Sequence, residues 1–238
     1  MEAALLVELL TEELPPKSLK AFSEWFGKFL TSDLSKDGLL SGDSTTLCFA
    51  TPRRLAVQIS GVRDHGSATH LEQLGPPANA PAAAVAGFAR KHGLAIDQLF
   101  QVDTPKGKFF ACKVTKEAVQ LEKTLATKVE AALKALPIPK MMRWGSGDAQ
   151  FVRPVHGLVM LHGDRVVPGK VLGVEAGNRT RGHRFMSSGE IVIASADVYD
   201  TTLMDKGRVM AGFAERRAMI EAALKAEAQK RSAGLGEY

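Results

Sequence analysis

The apolar positions change period along the chain, and each change predicts an element. Residues 4–10, Ala-Leu-Leu-Val-Glu-Leu-Leu, are a short strand-compatible run bounded by the polar Thr11-Glu12-Glu13. Leu14-Pro15-Pro16 breaks it, and Pro16 can open the next element because proline is accepted in a first helical turn. Leu19, Phe22, Phe26, Phe29 and Leu30 then recur at helical spacing on one face, and Gly38 ends that helix. Residues 46–50 and 55–59 alternate as strands around the connection Thr51-Pro52-Arg53-Arg54.

Residues 66–84 are rich in Gly, Pro and Ala and predict a linker, the best internal boundary. Residues 81–92 follow as a short helix. Residues 99–102 and 108–114 predict a hairpin turning at Thr104-Pro105-Lys106-Gly107. Leu121, Leu125, Val129, Ala132 and Leu136 form a helical core stripe that Pro137 stops. Strands are expected at 158–161, at 166–174 with an interruption at Pro168, and at 191–193, with Ser195 or Asp197 capping a helix. From Asp205 to about Lys230 the pattern is helical, with Met210, Phe213, Ile220 and Leu224 as its stripe, and 231–238 form a frayed tail. The class is α+β, with mixed or antiparallel sheets, packed helices, two small subdomains and a long final helix. The expected organisation is a strand-helix-strand-strand unit over 1–65, a linker over 66–84, an α+β module over 85–204, and over 205–238 a helix connecting to a domain absent from this chain.

Composition narrows the function classes. The chain has 238 residues, a net charge of +5, 45% hydrophobic and 24% charged residues, values of a water-soluble folded protein that permit a nucleic-acid partner without demanding one. No apolar run has the length of a membrane span, and the first residues lack the basic flank of a signal peptide. Cys48 and Cys112 lie far apart in apolar surroundings, which suits reduced, buried thiols in the cytoplasm. The histidines and cysteines show no metal-ligand spacing, and no Walker or dinucleotide-binding glycine pattern occurs.

The unusual chemistry lies in residues 137–186. Between Pro139 and Met186 there are eight Lys or Arg (Lys140, Arg143, Arg153, Arg165, Lys170, Arg179, Arg181, Arg184) against three acids, with His156, His162 and His183 added. Cations interleaved with Trp, Phe and Met suit a polyanion that also offers flat faces, which describes single-stranded or bent RNA; a solvated charged face is the plainer alternative. Arg179, Arg181 and Arg184 are spaced closely around Gly182, so several guanidiniums can reach adjacent phosphates. Arg53 and Arg54 at their turn either hold phosphate or solvate the tip. Trp144 is a base-stacking group or a core plug, and Met141 and Met142 are packing residues. Glu12 and Glu13 could be acid–base residues, but more simply favour the positive end of a helix. His183 could be a general base, or a hydrogen-bond donor to phosphate or backbone.

Five ordered blocks carry a resemblance: Val7-Glu8-Leu9-Leu10-Thr11-Glu12-Glu13-Leu14-Pro15-Pro16-Lys17, Ala50-Thr51-Pro52-Arg53-Arg54-Leu55, Leu136-Pro137-Ile138-Pro139-Lys140-Met141-Met142-Arg143-Trp144-Gly145, Phe151-Val152-Arg153-Pro154-Val155-His156, and Arg179-Thr180-Arg181-Gly182-His183-Arg184-Phe185. Together they resemble the N-terminal part of the β subunit of bacterial heterotetrameric glycyl-tRNA synthetase, with Leu10 where that family has Gly. The resemblance implies a piece of a longer subunit that continues into an HD-like helical domain and an anticodon-binding domain. It implies a cytoplasmic α2β2 assembly in which the α subunit binds ATP, Mg²⁺ and glycine while β binds tRNA. No catalytic, metal or cofactor site is expected within this chain. RNA-binding modules similar to the editing-like domain of the phenylalanyl synthetase β subunit, or to parts of archaeal CCA-adding enzymes, are implied for this region. The expected tRNA-binding residues are Arg53, Arg54, Lys140, Arg143, Arg153, Arg179, Arg181, His183 and Arg184. The rival expectations are hydrolytic editing of mischarged tRNA and a purely structural role in subunit assembly.

Overall fold

In chain order the elements are β1 (Glu2–Thr11), α1 (Leu19–Lys36), β2 (Thr46–Thr51), β3 (Arg54–Arg63), β4 (Thr69–Pro77), α2 (Ala82–Lys91), β5 (Phe100–Thr104), β6 (Gly107–Lys116), α3 (Leu121–Lys134), β7 (Met142–Arg143), β8 (Gln150–Phe151), β9 (Val155–His162), β10 (Arg165–Val166), β11 (Lys170–Val171), β12 (Val174–Gly177), β13 (Arg179–Arg181), β14 (Glu190–Val192), α4 (Tyr199–Asp205) and α5 (Phe213–Lys230). They come from a computed structural model that describes residues 1–66, 69–105, 107–116 and 118–236. The class is α+β, as the periodicities predict. The chain forms two compact units, 1–66 with 120–238, and 67–119.

β1 lies inside the seven-stranded sheet of the larger unit, which runs β11-β12-β9-β1-β3-β2 with β10 also on β9. Its antiparallel neighbours β3 and β9 take up its backbone groups along both edges. Both faces are covered too, and that is why its sequence is an unbroken apolar run rather than an alternation. Leu5, Val7 and Leu9 share the face on which α1 packs its buried Phe22, Phe26 and Leu30. The opposite face carries Ala4 and Leu6, packed with Phe49, Ala56, Val159, Leu161, Ile191, Ile193, Ala196, Tyr199, Leu203 and Ala211. Phe49 and Tyr199 meet edge to face at 5.3 Å between ring centres. This second layer is built from the chain's last third, with the Oγ of Ser195 accepting from the backbone N–H of Asp197 as the expected cap.

α3 is fastened to α1 by charge. The Lys128 ammonium lies 2.7 Å from Asp33 and 2.5 Å from Asp37, at the C-terminal end of α1. Burial pulls the pKa of Lys128 down, but the two carboxylates more than offset this and leave it raised.

The smaller unit is a three-stranded antiparallel sheet, β4-β6-β5, with α2 burying Val85 and Ala89. The expected linker is therefore corrected: Thr69–Pro77 is a strand, while Ser67 and Ala68 lie outside the described residues. Its Gly75-Pro76-Pro77 ending misled the reading because prolines punctuate loops. β4 is an edge strand, however, where a missing N–H is tolerated, and its register shifts between Leu74 and Pro77. The unit boundaries accordingly fall near 66 and 120 rather than at 84 and 204. The β5–β6 hairpin forms as expected, with the Thr104 hydroxyl donating to the Gly107 carbonyl at 2.8 Å; Lys106 of its turn lies outside the described residues.

Two further expectations change. The segment 166–174 is two short strands, β10 and β11, that continue into β12, which pairs parallel with β9. The helix expected from 205 to 230 is interrupted: α4 ends at Asp205 and α5 starts at Phe213. Its supposed stripe buries nothing, with Ile220 49% and Leu224 44% exposed. α5 is anchored at its start, where the Arg216 guanidinium donates to the carbonyls of Ala50, Met210, Ala211 and Gly212. Of the expected tail, Glu237 and Tyr238 lie outside the described residues.

Lys128→Met leaves two carboxylates facing each other without their cation. It is expected to lower unfolding free energy by about 2 kcal/mol in urea titration, and the loss shrinks when Asp33→Asn is added. The ammonium's contribution is complete below the unfolded lysine value of about 10.4 and is lost only as pH rises through the raised folded value, so the difference holds at neutral and mildly alkaline pH.

Candidate nucleic-acid interface

The basic stretch divides into buried, paired and free cations. Arg54 is not on the surface: it is 3% exposed, and its Nε donates to Glu8 at 2.8 Å. Because β3 begins at Arg54, paired with Leu10, its side chain falls on the same sheet face as Glu8. Glu8 is 1% exposed and also accepts from the hydroxyls of Thr180 and Tyr199. A second Arg54 nitrogen donates to Thr180 Oγ1 and to the Arg181 carbonyl. Burial pulls the Arg54 pKa down, yet Glu8 offsets it and leaves it raised; burial and then Glu8 hold Tyr199 well above its ordinary value, so its O–H stays a donor. Arg54 is thus corrected from an RNA contact to the cation that fixes β13 on the core.

Other expected contacts are occupied by protein. Arg53 lies 3.2 Å from Glu12, which also holds His156 at 2.8 Å. Glu12 therefore pairs with these groups instead of starting a helix. Arg153 donates to the carbonyls of Glu13 and Val152. His162 is buried with its Nε2 on the Val62 carbonyl at 2.7 Å, so it adds nothing to the basic surface. Arg165 faces Glu122 and Lys170 faces Glu175. Lys140 and Arg143 are exposed beside or within the small β7–β8 hairpin, where Arg143 is 3.9 Å from Asp148 and Trp144 is half-buried.

Several cations without an ion pair lie on β13 and the turn after it. Thr180 points inward and is 2% exposed, so the alternation of a strand turns Arg179 and Arg181 outward together. Arg179 is 3.3 Å from Glu190 on β14. Among the described residues no carboxylate lies within ion-pair distance of Arg181 or Arg184. The chain then turns at Gly182, where a side chain does not fit: a Cβ there would be 2.5 Å from the Cα and the carbonyl oxygen of Gly207. That backbone approach is closed by the His183 N–H donating to the Gly207 carbonyl at 2.7 Å, and by the Ser187 hydroxyl donating to Lys206 at 3.0 Å. It brings the segment of Lys206 and Arg208 against the turn that carries Arg184; all three are exposed, and among the described residues neither new cation has a carboxylate within ion-pair distance. Sequence reasoning missed Lys206 and Arg208. The available signal was a second glycine flanked by basic residues, Lys206-Gly207-Arg208, matching Arg181-Gly182-His183.

His183 is held in one role. Its Nδ1 accepts the backbone N–H groups of Phe185 and Met186, each at 3.2 Å. The ring proton therefore sits on Nε2, which makes the exposed nitrogen a donor rather than a base. Among the described residues no group of three or more His, Cys, Asp or Glu is placed to hold a metal ion. No helix among them is long and apolar enough to cross a membrane.

These features define an α+β polypeptide whose outer edge displays unpaired guanidinium and ammonium groups on a rigid backbone. Comparison with known proteins gives the family: residues 5–236 match the one described as glycyl-tRNA synthetase beta subunit, and the chain belongs to it, corresponding to the N-terminal region of that subunit. It is 46% identical over 246 residues to the glycine–tRNA ligase beta subunit of Aromatoleum aromaticum, covering 99% of this chain and 35% of the relative. The corresponding protein of Neisseria meningitidis serogroup A is 42% identical over 241 residues, with the same coverage of each chain. That of Marinobacter nauticus is 39% identical over 236 residues, covering 96% of this chain and 34% of the relative. The chain thus spans about a third of the length of these curated relatives.

Burial and exposure predict opposite outcomes for neighbouring arginines. Arg54→Met strands the Glu8 carboxylate in the core and is expected to cost about 3–5 kcal/mol of unfolding free energy. Arg181→Ala and Arg184→Ala are expected to change it by no more than about 0.5 kcal/mol, measured by denaturant unfolding of the same protein.

Proposed function

We propose that this chain is the tRNA-binding, non-catalytic part of a glycyl-tRNA synthetase β subunit. The observation that carries the reading is the group of exposed cations that have no carboxylate partner among the described residues, Arg181, Arg184, Lys206 and Arg208, on a pinned turn and the segment bonded to it. Guanidiniums carried on such a held backbone can present their donor forks to phosphate. Arg179 joins them when it exchanges Glu190 for phosphate, and Nε2–H of His183 adds one more donor. Lys140 and Arg143 form a second group of contacts, and Arg53 and Arg153 contribute only through the charge left beyond their protein partners. Such contacts supply affinity and register on the sugar-phosphate chain rather than a choice of sequence.

In this reading the attachment of glycine to its tRNA, driven by ATP with Mg²⁺, takes place on a partner α subunit in a cytoplasmic α2β2 assembly, and no cofactor binds here. The Nδ1 acceptor role of His183 and the pairing of Glu12 with Arg53 and His156 favour binding over ester hydrolysis by these residues. A second reading, assembly with protein, has one observation in its favour: α5 projects 18 residues of which none is buried.

Combined Arg181→Glu and Arg184→Glu is expected to weaken tRNA binding at least tenfold at physiological salt. The slope of log affinity against log salt should also fall by about one for each phosphate contact removed. Unchanged tRNA affinity together with impaired assembly, measured by titration and size-exclusion chromatography of the subunit with its partner, would transfer this surface to the assembly reading.

A further inference from the structure

Beside the free cations stands an aromatic ring with no protein partner suited to cover it. Phe185 is 86% exposed, the highest value among the large hydrophobic side chains of the described residues, and Met186 is 65% exposed. Among the described residues the ring paired with Phe185 is that of His183, at 6.1 Å between centres and inclined by 60°, an edge-type contact that leaves the phenyl ring largely exposed. This exposure is built in rather than a frayed end. The turn that carries Phe185 is closed by its own N–H on His183 Nδ1, by the Ser187 N–H on the His183 carbonyl at 3.1 Å, and by the bonds from His183 to Gly207 and from Ser187 to Lys206. Arg184 immediately precedes the ring, and Lys206 and Arg208 lie on the segment bonded to the turn.

We infer that Phe185 is a stacking platform for an unpaired RNA base, and that the surrounding cations hold the phosphates on either side of that nucleotide. The inference rests on the RNA-binding reading above and narrows it to single-stranded RNA. A phenyl ring has no donor or acceptor, so it recognises a π-face and not a base identity. In a duplex those faces are hidden by neighbouring pairs, whereas an unpaired segment offers them freely. An apolar pocket of a protein partner would also cover Phe185, but the ring's immediate neighbours are cations, and depletion of charge marks the core of protein interfaces. The stacking group in this proposal is Phe185; Trp144, for which the sequence left stacking and core packing open, is half-buried.

The test compares an unpaired oligoribonucleotide with the same length of RNA closed into a hairpin, binding each to the complete subunit by fluorescence anisotropy. Phe185→Ala is expected to lose about tenfold in affinity for the unpaired RNA, less than twofold for the hairpin, with the salt slope unchanged. Phe185→Tyr should restore binding. Arg181→Glu with Arg184→Glu should weaken both ligands and lower the salt slope. The stacking proposal is overturned if Phe185→Ala binds unpaired RNA like the parent while the charge reversal still weakens it, a result that leaves the RNA-binding reading standing. It is overturned as well if Phe185→Ala impairs assembly with the partner subunit and spares RNA. If the charge reversal affects neither RNA, both readings fall.

Discussion

The carboxylate of Glu8 is the constraint on which this structure turns. It sits on a strand enclosed on both faces and both edges, and it is 1% exposed. A charge there is tolerable only if its lone pairs are met, and Arg54, Thr180 and Tyr199 meet them. These partners come from three distant parts of the chain. The ion pair therefore does more than neutralise charge, since it demands that β3, β13 and the start of α4 converge on one point of β1. The apolar layer around Tyr199 supplies the cohesion of that face, while the directional bonds fix its geometry.

That geometry passes directly to the candidate interface. Thr180 and the Arg181 carbonyl are held from inside, and the alternation of a strand then leaves Arg179 and Arg181 no choice but to face outward. The next residue, Gly182, is locked against Gly207, which sets the direction of the turn carrying His183, Arg184 and Phe185. Core and surface are thus linked by covalent neighbours: Thr180 is buried and its two flanking arginines are exposed.

The sequence made β1, α1, the β2–β3 hairpin, α3 and the basic character of residues 137–186 legible, because each is a local pattern of period or charge. It could not show which cations are spent on protein. Arg53 and Arg54 are adjacent and look alike, yet one lies near the surface beside Glu12 and the other is sealed against Glu8. The difference depends on strand register and on partners 46 and 126 positions away. Lys206 and Arg208 were hidden for a related reason. The helical pattern after Asp205 masked the break, and only contact with Gly182 gives those cations a place. β4 was concealed by its own prolines, which an edge strand accepts and a central one does not.

A cation surface of this kind carries a cost in self-repulsion, which makes its pattern of pairing informative. Arg143, Arg165, Lys170 and Arg179 each have a carboxylate within 4 Å, so bringing phosphate to them exchanges one anion for another and gains little. Among the described residues Arg181, Arg184, Lys206 and Arg208 have no such partner, so under the proposed function phosphate there would relieve repulsion as well as add hydrogen bonds. Net charge alone, +5 over 238 residues, cannot separate these two groups. What separates them is the fold, which pairs acids with cations along the outer strands and, among the described residues, leaves none within ion-pair distance of Arg181, Arg184, Lys206 and Arg208. In the proposed binding role, a single acid introduced near Arg184 would weaken phosphate contact more than the loss of a paired arginine elsewhere.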